Sequence, residues 1–128
     1  MINIVIVIWI LFLHWIGDFY YQTDYMALNK GKEWKALLEH TILYSIVMLM
    51  GMFFLFGSTY KFSLEGMLSL FRFVTVTFLC HTIQDYITSR ENAKLAGLDS
   101  KHNFFTLIGF DQFLHFTQLI FTYWLFTK

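Results

Sequence analysis

The chain has 128 residues, 57% of them hydrophobic and 21% aromatic, with sixteen Phe, no Pro and only 14% charged side chains. A soluble domain carries roughly a quarter charged residues, so the composition excludes an ordinary soluble globule and points to an integral membrane protein with room for one domain, residues 1–128. The formal net charge is zero, which leaves no bulk basic field to attract nucleic acid. The single cysteine, Cys80, forms no internal disulfide and no thiolate metal cluster. Set in an apolar stretch, it reads as a small packing or lipid-facing residue.

A membrane-crossing helix needs about 20 mostly apolar residues, and four segments qualify. The first, residues 2–21, opens on Met1-Ile2-Asn3 with no basic run and no small-x-small cleavage site. It therefore reads as a retained span and not as a cleaved leader. The others cover residues 36–57, 64–88 and 104–127. The expected fold class is all-α, an integral membrane bundle of about four transmembrane helices, with no Pro to interrupt them.

Polar segments separate the spans. Residues 23–35 carry Asp24, Asn29, Lys30, Lys32, Glu33 and Lys35; residues 57–63 carry Lys61; residues 89–103 carry Arg90, Glu91, Lys94, Asp99 and Lys101. With four spans, the first and third of these segments share one side of the membrane. That side holds six Lys and Arg, against Lys61 and Lys128 on the other. The positive-inside rule then places the first and third loops in the cytoplasm and both termini outside it. Arg72, in the outer half of the third span, shares a face with Glu65 and reads as snorkelling or paired with it.

The apolar spans carry ionisable residues at a repeated spacing. His14, Asp18 and Gln22 stand at i, i+4 and i+8 at the end of span one; His81 and Asp85 repeat the interval in span three, and Asp111 and His115 repeat it reversed in span four. Residues four apart share a helical face. His40, with Tyr44 on its face, lies in the first turns of span two. Under the topology set by Lys and Arg, all of these fall in the cytoplasmic half of the membrane. They are expected to meet in one cluster, with His40 either a fourth histidine of the site or an interfacial residue. His102 lies in a polar loop and reads as solvated.

An Asp near the middle of a span costs about 2.5–3.5 kcal/mol, and three left alone cost on the order of 8 kcal/mol. Interhelix hydrogen bonds return only about 0.6 kcal/mol each in membranes. Polar glue between helices is thus a weak reason for three carboxylates. Imidazole with carboxylate suits a divalent cation, zinc first and then manganese or iron, and two ions can share the carboxylates. The leading expectation is a metal-dependent membrane hydrolase. His14, His81, Asp111 and His115 are the expected ligands, and an uncoordinated Asp18 or Asp85 the general base. Gln22, Gln84 and Gln112 are expected to hold substrate or orient ligands. Lys30 and the other loop cations would attract an anionic head group or phosphate of a lipid or phosphorylated substrate. The alternatives are a proton- or ion-conducting protein, as a homo-oligomer, and a non-catalytic protein that uses His–Asp pairs as glue. A conduit needs polar residues in the outer half as well, and spans one and two offer few. The lipid bilayer is the expected partner, and nucleic acid is not.

At these positions the chain resembles a family of small bacterial and phage integral membrane proteins, the domain of unknown function three-three-zero-seven. The resemblance rests on His14-x-x-Gly17-Asp18-Phe19-x-x-Gln22-Thr23-Asp24, on Asn29-Lys30, on His40 with Tyr44, on His81-x-x-x-Asp85-Tyr86 and on Asp111-Gln112-x-x-His115. It implies a multi-span protein of the bacterial inner membrane with a polar His/Asp/Gln centre, and no assigned activity. It adds weight to Asn29, Lys30 and Gln112.

Overall fold

The computed structural model describes residues 3–98 and 101–128; Met1 and Ile2, the start of the expected first span, and Asp99 lie outside the described residues. The described chain is helical throughout. Helix α1, Ile4–Trp15, starts at Asn3, whose side chain accepts from the Val5 N–H at 2.8 Å. It runs directly into a π-helical turn, Ile16–Tyr20. A short helix α2, Asp24–Asn29, is capped by Thr23. Helices α3, Trp34–Tyr60, α4, Leu64–Ala96, and α5, Lys101–Phe126, form the rest of the bundle.

Helices α3, α4 and α5 are each long and apolar enough to cross a membrane. The segment Ile4–Tyr20 is apolar and shorter; at 1.5 Å per residue it reaches about 25 Å, the low end of what a hydrocarbon core requires. The chain is thus an all-α membrane bundle in which three full-length spans are joined by one short one. Large apolar side chains, among them Ile8, Phe12, Ile46, Phe54, Phe71 and Phe121, face outward. The polar ones collect inside, the reverse of a soluble protein.

Two expectations change. Helix α4 continues eight residues past the expected end of span three, because Arg90 to Ala96 contains good helix formers and no Pro; it stops at Gly97. The segment 23–35 is not a plain connector. It forms α2 and then turns back at Gly31, so that Lys30 points into the bundle with its side chain only 15% exposed.

Helix α4 packs between α3 and α5, with α1 against α3 and α5 and α2 against α3. The interior divides along its length. One end is apolar, built from Ile10, Leu13, Met48, Met52, Phe56 and Phe73 with Leu119. The other end holds His14, Asp18, His40, His81, Asp85, Asp111 and His115, all buried. Two glycines allow the close approaches at the polar end. A Cβ on Gly17 would meet the Tyr44 ring at 2.8 Å, and one on Gly31 would meet the Ser89 carbonyl oxygen at 2.5 Å.

Gly31→Ala therefore has to push the turn that follows α2 away from the α4 backbone at Ser89. It should cost about 1–3 kcal/mol, the usual price of overpacking, read as a lower Tm in mild detergent. Gly109→Ala, where nothing lies within 4 Å of the added carbon, should be neutral or stabilising by up to about 1 kcal/mol. Equal effects of the two would mean that the close approach of Gly31 to Ser89 does not matter.

Candidate metal centre

Each helix contributes one face to the polar end. Helix α4 presents the stripe Thr77, His81, Asp85 and Thr88, all buried, as the spacing of three and four requires. Helix α5 presents Asp111 and His115, helix α3 presents His40 and Tyr44, and the end of α1 presents His14. Asp18 comes from the π-helical turn, a local distortion that recurs at functional sites. The turn keeps Asp18 near His14, with 3.6 Å between His14 Nε2 and Asp18 Oδ2. It also ends the helix before Gln22, which leaves the expected stripe and lines a cleft instead.

Four atoms converge on one point. His40 Nε2 lies 3.0 Å from Asp18 Oδ1 and 3.1 Å from Asp85 Oδ2. His81 Nε2 lies 3.7 and 3.6 Å from the same two oxygens, and 3.2 Å from His40 Nε2. All ligand atoms of this group lie within 4.8 Å of one another. Donors in a tetrahedron at zinc's usual ligand distance stand about 3.3 Å apart, and the measured edges scatter around that value. Both rings are fully buried, and the His81 ring stacks on Tyr44 at 3.8 Å between centroids. The Nδ1 atoms of His40 and His81 have no protein partner among the described residues, so no outside acceptor dictates which nitrogen carries the proton.

A second group shares Asp85. It consists of Asp85, Asp111 and His115. His115 Nδ1 donates to the Asp111 carbonyl at 2.8 Å, and its Nε2 faces Asp85 Oδ1 at 3.6 Å. Thr88 donates to Asp111 Oδ1 at 2.6 Å.

A relay of hydrogen bonds ties the two groups together. Gln112 Nε2 donates to Asp18 Oδ2 at 3.1 Å and to Asp111 Oδ2 at 3.2 Å. Its Oε1 must then accept from His14 Nε2–H, at 2.8 Å. With that proton on Nε2, His14 Nδ1 accepts from the Tyr44 hydroxyl at 2.9 Å. Both ring nitrogens of His14 are thus engaged. The ring holds Gln112, which holds the two carboxylates.

Lys30 enters from α2. Its Nζ donates to Asp85 Oδ2 at 2.9 Å and lies 3.8 Å from Asp18 Oδ1. Burial pulls the ammonium's pKa down, but the Asp85 and Asp18 carboxylates outweigh it, and the pKa is held above its ordinary value. This lysine is an ion-pair partner inside the site and not a free loop cation. Asn29 stays outside, with its side chain turned back onto the Tyr25 carbonyl. Gln84 is turned from the cluster by the helical rotation of about 100° per residue, and only its carbonyl comes near, 2.9 Å from the Thr88 hydroxyl oxygen.

A cleft of about 400 Å³ opens from the centre toward the end of the bundle that bears α2. Asp18, Lys30, Asp85, Asp111 and Gln112 line its floor, and Leu28, Ala93, Phe104 and Ile108 line its walls.

Of the expected residues, Asp18, His40, His81, Asp85, Asp111 and His115 come together, with Lys30, Gln112, Tyr44 and His14 around them. Thr88, Ser89 (which donates to the Asp85 carbonyl) and Gly31 were missed. Thr88 had a signal, since it extends the His81–Asp85 stripe by three residues.

Gln112→Leu should free His14 and strip a donor from each of two carboxylates, costing about 1–3 kcal/mol. In the intact protein, nitrogen NMR of His14 should find the proton on Nε2. A proton on Nδ1 would refute the relay's direction.

The chain was compared with protein families, with curated proteins and with solved structures. No curated protein and no solved structure matches it. The family model described as "Protein of unknown function (DUF3307)" matches residues 6–128. That span includes every residue of the His/Asp centre, and the chain belongs to this family.

Proposed function

We propose that the protein is a membrane-embedded, metal-dependent hydrolase that acts on a phosphorylated or lipid substrate at the cytoplasmic side of a bacterial inner membrane. The convergence of Asp18 Oδ1, His40 Nε2, His81 Nε2 and Asp85 Oδ2 at tetrahedral spacing carries this reading.

Charge supports it. With all three ionised, Asp18, Asp85 and Asp111 bring three negative charges into a buried space that, among the described residues, holds one ammonium, that of Lys30. Two more positive charges are needed. Protonating both His40 and His81 would set two cations side by side with their Nε2 atoms 3.2 Å apart. One divalent ion between them supplies the same charge and turns both nitrogen lone pairs to use. Two imidazoles and two carboxylates suit zinc first, then manganese or iron. Bound to such an ion, water loses its proton near neutral pH and becomes a nucleophile.

The shape of the interior favours this over a conduit. Polar residues continue from His115 through Gln118, which donates to Thr122, and then give way to Phe56, Phe73 and Leu119. The path opens at one end and is packed shut at the other. The side with the opening also carries Lys32, Lys35, Arg90, Lys94 and Lys101, which by the positive-inside rule faces the cytoplasm and would draw an anionic substrate.

Metal content decides the matter. Protein purified in mild detergent, without chelator or a metal-affinity step, should carry at least about one zinc, manganese or iron per chain by mass spectrometry. His81→Ala and Asp18→Asn should lose it while keeping helical circular dichroism. Folded wild type with no metal, and none taken up on addition, would sink the hydrolase and favour His–Asp proton relay or interhelix glue.

A further inference from the structure

The four-atom centre leaves a difficulty. A tetrahedral cation with four protein ligands has no open position, whereas hydrolytic zinc sites keep one for water. The neighbouring group resolves it. We infer that Asp85 bridges two ions. Its Oδ2 faces the ion held with Asp18, His40 and His81, and its Oδ1 faces a second ion held with Asp111 and His115.

Three observations carry the second position beyond the reading on which it rests. First, His115 Nδ1 spends its proton on the Asp111 carbonyl at 2.8 Å. In the neutral ring the lone pair then lies on Nε2, which faces inward as a metal ligand does. Second, that Nε2 is wholly buried and has no hydrogen-bond partner among the described residues. It faces Asp85 Oδ1 at 3.6 Å, beyond hydrogen-bond range, so that a cation between the two would satisfy both. Third, this group has three protein ligands, not four, and two of them, Asp85 and Asp111, line the cleft. The incomplete coordination sphere faces the space through which substrate and water enter.

The surroundings fit a built site. Thr88 donates to Asp111 Oδ1 and Gln112 to Asp111 Oδ2, which holds the carboxylate in place. Ser89 and Thr88 pack the same turn of α4 as Asp85. A carboxylate bridge also matches the short separation of about 3.5–4 Å typical of paired catalytic ions.

The pair narrows the substrate. Two divalent ions and the Lys30 ammonium exceed the three carboxylates by two positive charges. A hydroxide and a singly charged phosphate group cancel that excess. The centre thus suits a phosphodiester or a phosphorylated lipid, with the Leu28, Phe104 and Ile108 walls of the cleft beside its apolar part. In the reaction, the oxygen of a water on the second ion bonds to phosphorus. The phosphorus–oxygen ester bond breaks, and the departing oxygen takes the proton that the water gave up.

The test is a titration of the metal-free, detergent-solubilised full chain with manganese(II), followed by electron paramagnetic resonance. Wild type should bind two equivalents, the second converting an isolated six-line spectrum into an exchange-coupled one. His115→Ala and Asp111→Asn should each bind one equivalent, keep the six-line spectrum, and weaken the second by at least about 10-fold. Circular dichroism controls for folding, and having two variants on one ligand group guards against one that misfolds. Saturation of wild type at one equivalent, with no coupled signal, would overturn the second position and leave the single-ion reading standing. No binding at all would overturn both.

Discussion

Three carboxylates buried among apolar helices must be neutralised, and most of the polar architecture follows from that need. Each would cost a few kcal/mol near the middle of a membrane if left alone. Lys30 balances one, entering from outside the spans to reach Asp85 at 2.9 Å. Gln112, Thr88 and Ser89 saturate oxygens around the carboxylates and their turn of α4 without adding charge. The histidines complete the shell around the carboxylates, with His40 Nε2 3.0 and 3.1 Å from Asp18 and Asp85.

Local backbone features serve that convergence. The π-helical turn at Ile16–Tyr20 carries Asp18 toward α3 and α4 and ends the helix before Gln22. Gly17 lets that turn lie on the Tyr44 ring, and Tyr44 in turn backs His81 and donates to His14. Gly31 brings the turn that follows α2 onto the backbone of α4 at Ser89, one residue from Lys30. Small residues at contact points thus set the position of charged ones.

The apolar end is as informative as the polar end. Met48, Met52, Phe56, Leu70 and Phe73 are wholly or almost wholly buried. Their packing closes the bundle behind the histidines, so water and ions reach the centre from one side. A one-sided cleft with a charged floor and apolar walls is the geometry of a pocket for an amphiphilic ligand. It also gives the low-dielectric surroundings in which charge–charge contacts among the buried side chains are strengthened.

By itself, the sequence determined the class of the fold and the membership of the site. Apolar runs without Pro, interrupted by a few charged segments, dictate a helical membrane bundle, because only helices satisfy the backbone internally in lipid. Three His/Asp pairs at an interval of four were enough to expect those six residues in one cluster, since that interval puts both members on one helical face, while His40 stayed open between the cluster and the interface. What it could not determine is which atoms face each other. His14 and His81 look alike in the chain, yet one is spent between Tyr44 and Gln112 while the other turns Nε2 to the centre. Lys30 reads as a loop cation until α2 folds back and places it beside Asp85. Those assignments depend on contacts between residues 30 to 98 positions apart, and only tertiary packing decides them, because helical periodicity sets the direction of a side chain on its own helix and says nothing about what stands opposite.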